Sequence, residues 1–169
     1  ALMEQKLWQP ALVNFSKVLK QSVWRDEAVY QSAWCEKRAG RKLVAIGYYK
    51  ELLVAHKNSP LINPTILELA ELEFEGEDYD DAISRLTKFM ESNPEQSLKI
   101  RAQYRLGWCF YGKKQYDKAA ELYESALPAV PQELSIVTAW QAGESRLHNK
   151  EYALASAHYK TAIKAGKPE

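Results

Sequence analysis

Apolar residues recur along this chain at intervals of three and four positions, the spacing of one buried face of an α-helix. Alternation at every second residue, the pattern of a half-buried strand, is hard to find. Successive helical stretches come in pairs separated by short polar turns. We therefore predict an all-α fold with helices at about 10–22, 27–38, 42–57, 64–75, 79–92, 98–111, 116–128, 134–148 and 152–165.

Prolines mark several of the predicted helix boundaries. Pro10 fits the first turn of its helix, where the missing N–H costs no hydrogen bond. Asn63 precedes Pro64, which predicts an N-cap followed by the first helical position. Pro60 and Pro94 each disfavour the helical conformation at the residue before them, so we expect the preceding helices to stop there.

The paired helices form units of similar sequence. One unit, from about 100 to 133, has small residues where its two helices should cross and large aromatics on either side. Small residues let two helix backbones approach closely, and the aromatics fill the remaining space. The positions concerned are Leu106, Gly107, Phe110, Tyr116, Ala119, Tyr123, Ala126 and Pro131. Their spacing resembles that of the tetratricopeptide repeat family.

The resemblance extends over essentially the whole chain. It implies a single right-handed α-solenoid of stacked antiparallel helix hairpins over 1–169, with a partial repeat at 1–28. Four further repeats follow at about 29–62, 63–99, 100–135 and 136–169. The half repeat at the start and the apolar last helix predict a segment excised from a longer array.

Successive repeats start 34, 37 and 36 residues apart rather than at a constant interval. We place the additional residues in the turns between repeats, at 95–97 and 132–134. Lengthened turns of this kind resemble those of bacterial cell-envelope members of the family. The compartment stays open between periplasm or cell envelope and cytoplasm, because two cysteines are tolerated in either.

Composition excludes several classes of protein. The chain has 23 Lys and Arg against 22 Asp and Glu, a net charge of +1. This balance argues against a protein that coats nucleic acid. No apolar run approaches the roughly 20 residues of a spanning helix, so we expect no membrane insertion. Two cysteines are too few for a disulfide framework.

No catalytic or metal-binding motif stands out in the sequence. His56, His148 and His158 are scattered and lack a second ligand at metal-binding spacing. We interpret Cys35 and Cys109 as buried small apolar groups. Phosphate-binding loops and hydrolase turns are also missing. We therefore predict a protein that is not an enzyme and uses no metal or other cofactor.

Charge is divided unevenly between neighbouring repeats. Repeat 63–99 has ten acidic and three basic side chains, whereas repeat 29–62 has two acidic and six basic ones. Asp78 and Asp80, in the acidic stretch 71–81, favour the N-terminus of the next helix through its dipole. The segregation has two readings: neighbouring repeats partly neutralise each other, or a bipolar surface orients a partner.

The family resemblance implies a ligand groove lined by the first helix of each repeat. Helical spacing independently places Tyr104, Trp108 and Tyr111 on one stripe. Exposed aromatics with arginine nearby are enriched at binding hot spots. The alternative is that these aromatics fill the space between adjacent repeats. Carried over repeat by repeat, the candidate partner-binding residues are Tyr30, Lys37, Leu67, Glu71, Phe74, Arg101, Tyr104, Trp108, Tyr111, Trp140, Glu144 and His148.

One specificity known for the family does not fit this sequence. Its chaperone-binding members hold a C-terminal carboxylate with Lys, Asn, Asn, Lys and Arg. Arg101 and Arg105 match the last two places, but Ala33, Lys37 and Glu68 occupy the others, and a glutamate would repel the carboxylate.

We therefore predict a scaffold that binds a peptide segment or domain of another protein along an aromatic groove. Two alternatives stay open. The chain is a docking or assembly module of a larger secretion or envelope machine, or it associates with copies of itself through its terminal faces.

Overall fold

The computed structural model describes residues 7–18 and 22–166, and all regular structure within these ranges is helical. The helices are α1 (Trp8–Ser16), α2 (Arg25–Arg38), α3 (Lys42–Ala55), α4 (Ile62–Glu75), α5 (Tyr79–Glu91), α6 (Gln96–Gly112), α7 (Tyr116–Ala126), α8 (Gln132–His148) and α9 (Tyr152–Ala165). The all-α prediction is confirmed, and eight of these helices begin and end within two residues of the predicted positions. Helix α1 ends at Ser16 instead of residue 22, and the predicted continuation through 19–21 lies outside the described residues.

The chain divides into two compact units, and the first ends at Leu72. In this unit α1 packs on α2 and α2 packs on α3. Tyr48 is only partly buried and packs against the core. The buried cluster at the centre consists of Ala33, Ala45, Tyr49, Leu69 and Leu72.

The second unit begins at Glu73 and contains α5 to α9, each packed on the next. Glycine is required where its helices cross. A Cβ atom on Gly107 would lie 2.7 Å from the ring of Tyr123, and one on Gly143 would lie 2.6 Å from the ring of Tyr159. Both pairs are sixteen residues apart, so the same crossing occurs in two successive repeats. The predicted role of small residues is confirmed at these two crossings.

The turn inside each of the four repeats has the same backbone conformation. The second residue after the helix has positive φ, and hydrogen bonds from this residue and the next return to the preceding helix, as in a Schellman motif. In the third repeat, for example, Lys114 N–H donates to the Tyr111 carbonyl and Gln115 N–H donates to the Phe110 carbonyl, both at 2.9 Å. The positive-φ residues of these four turns are Gly40, Glu77, Lys114 and Lys150, with φ of 79°, 63°, 59° and 64°.

Two local predictions were wrong. Asn63 is not an N-cap, because α4 already begins at Ile62, whose N–H donates to the Ser59 carbonyl at 3.2 Å. Pro64 therefore lies at the third helical position, still in the first turn. The additional residues at 95–97 and 132–134 do not lengthen turns. Residues 96–97 and 132–134 lie in the first turns of α6 and α8, and residue 95 directly precedes α6; these helices have 17 residues each against 14 in α2 and α4.

Charged side chains link helices within each unit. In the first unit, Lys37 on α2 donates to Glu68 and Glu71 on α4, both at 2.8 Å. In the second, Arg85 forms a fork with Glu73, its Nε and Nη2 atoms lying 2.8 and 2.6 Å from the carboxylate. These contacts favour the reading in which opposite charges neutralise each other locally. The bipolar surface stays a prediction. Within the described ranges, no helix is both long and apolar enough to cross a bilayer.

Candidate partner-binding surface

Aromatic rings in the second unit form one connected run across four helices, α4, α6, α7 and α8. Phe74 at the end of α4 lies 6.2 Å from Trp108 on α6, measured between ring centroids. Trp108 lies 6.3 Å from Tyr104 and 6.1 Å from Tyr111. Tyr111 lies 5.5 Å from His148 on α8. We call Phe74, Tyr104, Trp108, Tyr111, Tyr116 and His148 the aromatic surface.

The spacing within α6 explains how one helix supplies three of these rings. Tyr104, Trp108 and Tyr111 are separated by four and three residues, so they lie on one side of the helix. Most ring pairs meet edge to face, an arrangement that favours the quadrupoles of both rings. The predicted stripe is therefore present, with each of its rings half-buried rather than sealed in the core.

Trp140 lies on α8 and is more exposed than the predicted Tyr, Phe and other Trp site residues, at 51%. Its ring contacts Tyr159 at 5.1 Å. Tyr159 in turn donates its hydroxyl to Glu144 at 2.7 Å. Partial burial, together with this hydrogen bond, raises the pKa of Tyr159 to about 12. A second group on α8 and α9 therefore consists of Trp140, Glu144 and Tyr159. In this group the Trp140 ring is open to solvent.

Charged groups lie beside the rings. The guanidinium of Arg105 stands 5.3 Å from the centroid of Phe74, within cation–π range. Arg101, one turn earlier on α6, is exposed. Burial, reinforced by the charge of Glu144, raises the pKa of Tyr111, so this hydroxyl stays protonated at neutral pH. The surface therefore combines neutral hydrogen-bonding hydroxyls, apolar ring faces and cations.

The first unit contains four of the predicted site residues. Tyr30 is half-buried against Tyr49, with ring centroids 5.8 Å apart. Lys37 is engaged with Glu68 and Glu71; burial alone would lower its pKa, but the hydrogen bonds to the two carboxylates raise it. Leu67 is only 6% exposed and packs in the interior, so we leave it out of any accessible surface.

Sequence reasoning missed Tyr116, which stacks on His148 with centroids 4.7 Å apart and planes 16° from parallel. A signal was available, because tyrosine opens α5, α7 and α9 alike, at Tyr79, Tyr116 and Tyr152. Helical spacing could not identify the contact with His148, however, because the two residues belong to different repeats.

The remaining candidate chemistry is structural. Cys35 and Cys109 are fully buried, as predicted. Burial raises the pKa of Cys109 to about 11, so the thiol is not poised to ionise at neutral pH. His158 lies 2.8 Å from a Glu124 oxygen. Within residues 7–18 and 22–166, no three acidic, His or Cys side chains cluster to hold a metal ion.

Glu124 also belongs to an ion-pair network that joins three helices. Arg146 on α8 donates from Nε and Nη2 to Glu124 on α7, at 2.8 and 2.7 Å. Its Nη1 donates to Glu151, just before α9, at 2.9 Å. The hydrogen bond from Arg146 and a weaker one from His158 lower the pKa of Glu124, although burial opposes the shift.

Comparisons with known proteins agree with this architecture. Residues 67–133 match the family model described as tetratricopeptide repeat. No protein with a curated description matches the chain. A solved structure of MamA from Desulfovibrio magneticus RS-1, beginning at residue 41, shares 18% identity and a TM-score of 0.82, covering 97% of this chain and 88% of that one.

Two further solved structures are similar. A crystal structure of MamA has 21% identity and a TM-score of 0.82 over 97% of this chain and 91% of that one. The crystal structure of BtubC (BKLC) from P. vanneervenii has 18% identity and a TM-score of 0.79, covering 98% and 74% of the two chains. At these identities the likeness establishes the fold, an all-helical repeat architecture.

Proposed function

We propose that this chain is a protein-interaction scaffold of the tetratricopeptide repeat type, whose second unit binds a segment of a partner protein on the aromatic surface and on Trp140, eight residues before His148 on α8. The observation that carries the proposal is the connected run of partly exposed rings from Phe74 to His148. Tyrosine, tryptophan and arginine contribute most of the binding energy at typical protein interfaces.

The rings are well suited to binding because they are already held in place. Each contacts at least one other ring, so little side-chain entropy remains to be lost when a partner arrives. By contrast Tyr123, which contacts Tyr104, is fully buried and belongs to the core. The half-buried rings therefore retain surface that a partner can cover.

Binding rather than catalysis is the activity that these residues support. Tetratricopeptide-type folds are typically not enzymes. The buried cysteines, the histidine paired with Glu124 and the stacked His148 all have structural surroundings. The chain would therefore act by bringing its partner to a place or to another protein.

The test is a selection of peptides from a random library displayed on phage, using the purified chain as the target. Affinities of the selected peptides are then compared between wild type and Trp140→Ala, which removes a ring that is 51% exposed. We expect at least a tenfold weaker binding, since hot-spot truncations cost about 2 kcal/mol. A His148→Ala variant should also bind the selected peptides more weakly than wild type.

The matched control is Trp24→Ala, which removes an even more exposed tryptophan, at 68%, from the first unit. It should leave peptide affinity within about twofold of wild type. Equal loss with Trp24→Ala, or equal affinity of all variants, would contradict the assignment of the surface. Affinity capture from extract of the source cells with the same variants then identifies the natural partner.

Self-association is a second candidate, favoured by the outer side of α9. Tyr152 and Ile163, eleven residues apart and therefore on one side of the helix, are each 64% exposed there. Association through this side would raise the molar mass with concentration in sedimentation equilibrium, and Ile163→Lys would reverse the rise. A monomer at all concentrations would eliminate this candidate. That the chain is a docking module of a larger secretion or envelope machine stays a prediction.

A further inference from the structure

Glu144 brings a carboxylate among aromatic rings of α6, α8 and α9, in the second unit. Tyr159 donates its hydroxyl to Glu144 Oε1 at 2.7 Å, and Trp140 lies about one helical turn earlier on α8. We call Tyr111, Trp140, Glu144 and Tyr159 the Glu144 site. We infer that the Glu144 site binds the cationic end of a basic side chain of the partner, lysine or arginine. This preference for cations rests on the proposed function and specifies which peptides the second unit selects.

Spacing along α8 puts the carboxylate next to an accessible ring. Trp140 and Glu144 are four residues apart, so they lie on one side of the helix. The Trp140 ring is 51% exposed and lies 5.1 Å from the Tyr159 ring, measured between centroids. His148, four residues further along, is exposed and contacts Tyr111. The Glu144 site therefore opens to solvent and continues into the aromatic surface.

The charge of Glu144 acts on the tyrosines around it. Burial raises the pKa of Tyr111 and of Tyr159, and the nearby negative charge of Glu144 raises both further. Both hydroxyls are therefore neutral at pH 7, and neither compensates the charge of the carboxylate. The site as a whole is negative.

Glu124, another partly buried carboxylate of this unit, has a cation beside it. It accepts from Arg146 Nη2 at 2.7 Å. Among the residues that the structure describes, no lysine, arginine or histidine forms an ion pair with Glu144, whose contact is the neutral hydroxyl of Tyr159. An ionised carboxylate has acceptor positions for several hydrogen bonds. A cation from the partner would therefore supply to Glu144 what Arg146 supplies to Glu124.

The rings add a second attraction for a cation. The face of an aromatic ring is negative, so an ammonium or guanidinium within about 6 Å of it is attracted, most strongly by tryptophan. Arg105 already makes such a contact with Phe74 in the same unit. An anion would instead be repelled by Glu144, and a neutral apolar group would gain nothing from its charge. A cation is therefore the occupant that both the carboxylate and the rings favour.

Small probes of similar length test the preference without knowledge of the partner. Butylammonium and butylguanidinium match the ends of lysine and arginine side chains, 1-butanol is neutral and butyrate is anionic. Binding is followed by the NMR shift of the Trp140 indole N–H, identified as the signal that Trp140→Ala removes. We expect both cations to bind about three- to tenfold more tightly than 1-butanol, the combined gain of an exposed ion pair and a cation–π contact. Butyrate should leave the signal unshifted.

Trp24 of the first unit provides an internal control in the same spectra. Its ring is 68% exposed, so any general attraction of the probes to exposed tryptophan would shift its indole N–H as well. We expect this signal to stay in place with all four probes.

Three variants separate charge from hydrogen bonding. Glu144→Gln keeps an oxygen that can accept from Tyr159 but removes the charge. It should lower the affinity for both cations about two- to fivefold and leave that for 1-butanol unchanged. Tyr159→Phe removes the hydroxyl and leaves the carboxylate, so the preference for cations should persist. Glu121→Gln, at an exposed glutamate on α7, is the matched control and should change nothing.

Equal binding of the cations and 1-butanol to wild type, or no shift of the Trp140 signal with any probe, would overturn the preference for cations. Shifts of Trp24 as large as those of Trp140, or an unchanged affinity for the cations in Glu144→Gln, would overturn it too. If Glu144→Gln fails to fold, the ranking of the four probes on wild type still decides the question.

The proposed function is tested separately, by the dependence of the selected peptides on Trp140. Peptides that require Trp140 but bind Glu144→Gln as tightly as wild type would reject the Glu144 site alone. Cation binding at Glu144 without any peptide that depends on Trp140 would leave a small-cation site and reject the proposed function.

Discussion

The crossing of α6 and α7 allows a sharp prediction for Gly107→Ala. The added Cβ atom would lie 2.7 Å from the Cε1 and Cζ atoms of Tyr123, whereas ordinary contacts begin near 3.4 Å. The ring would have to withdraw by about 0.7 Å. It has no room to do so, because Tyr123 is fully buried and packs edge to face on Tyr104.

The magnitude follows from two opposing effects. Overpacking of a filled core costs about 1–3 kcal/mol, and a rigid buried ring places this case near the upper end. Replacing glycine by alanine inside a helix contributes about 1 kcal/mol in the other direction. We expect Gly107→Ala to lower the free energy of unfolding by about 2 kcal/mol, a shift of the melting temperature of about 4–8 °C.

Urea unfolding followed by circular dichroism measures this loss, and Gly47→Ala provides the matched control. Gly47 lies in α3 and has no packing partner within 4 Å of the place where a Cβ atom would lie, so alanine there should stabilise the chain by about 1 kcal/mol. In a Tyr123→Leu background the penalty of Gly107→Ala should largely vanish. If Gly107→Ala stabilised the chain as Gly47→Ala does, the reasoning about this crossing would be refuted.

Three further predictions concern turns and charges. Lys114→Gly should raise the free energy of unfolding by about 0.5–1 kcal/mol, because its φ of 59° suits glycine, whereas Gly40→Ala should lower it; urea unfolding measures both. The pKa of Glu124 is lowered, so its contribution to stability is present above its ordinary pKa of 4.5 and is lost as the pH falls through the lower folded value. Glu124→Gln should therefore cost about 1 kcal/mol at pH 7, and its difference from wild type should shrink in urea unfolding below about pH 4; a constant difference would contradict the assignment. Glu144→Gln should lower the pKa of Tyr159 from about 12, as measured by ultraviolet titration against Tyr159→Phe; an unchanged value would exclude the hydrogen bond.

Sequence periodicity was sufficient for the helices and for the small residues at their crossings, because both depend on contacts at fixed spacing. It failed at Asn63, where a good capping residue competes with the turn at Ser59 that starts α4 earlier. It also failed at 132–134, since polar helix-forming residues between repeats look the same in a turn and in the first turn of a helix.

The candidate surface was predictable only in part, for the same physical reason. Tyr104, Trp108 and Tyr111 share one helix, so their common side follows from spacing alone. The stacking of Tyr116 on His148 depends on the offset between two repeats, which no local pattern specifies. Leu67 was assigned to the groove by position in its repeat, but its side chain is buried in the first unit.

The additional helical turn at the start of α8 has a consequence for how such chains change in length during evolution. Residues added before the first turn of a helix leave the phase of every later residue unchanged, so Gly143 still meets Tyr159. An insertion inside α8 would instead rotate all following side chains by about 100° per residue and disrupt that crossing. The junctions between repeats are therefore places where new ligand preferences can arise by insertion without any loss of the fold.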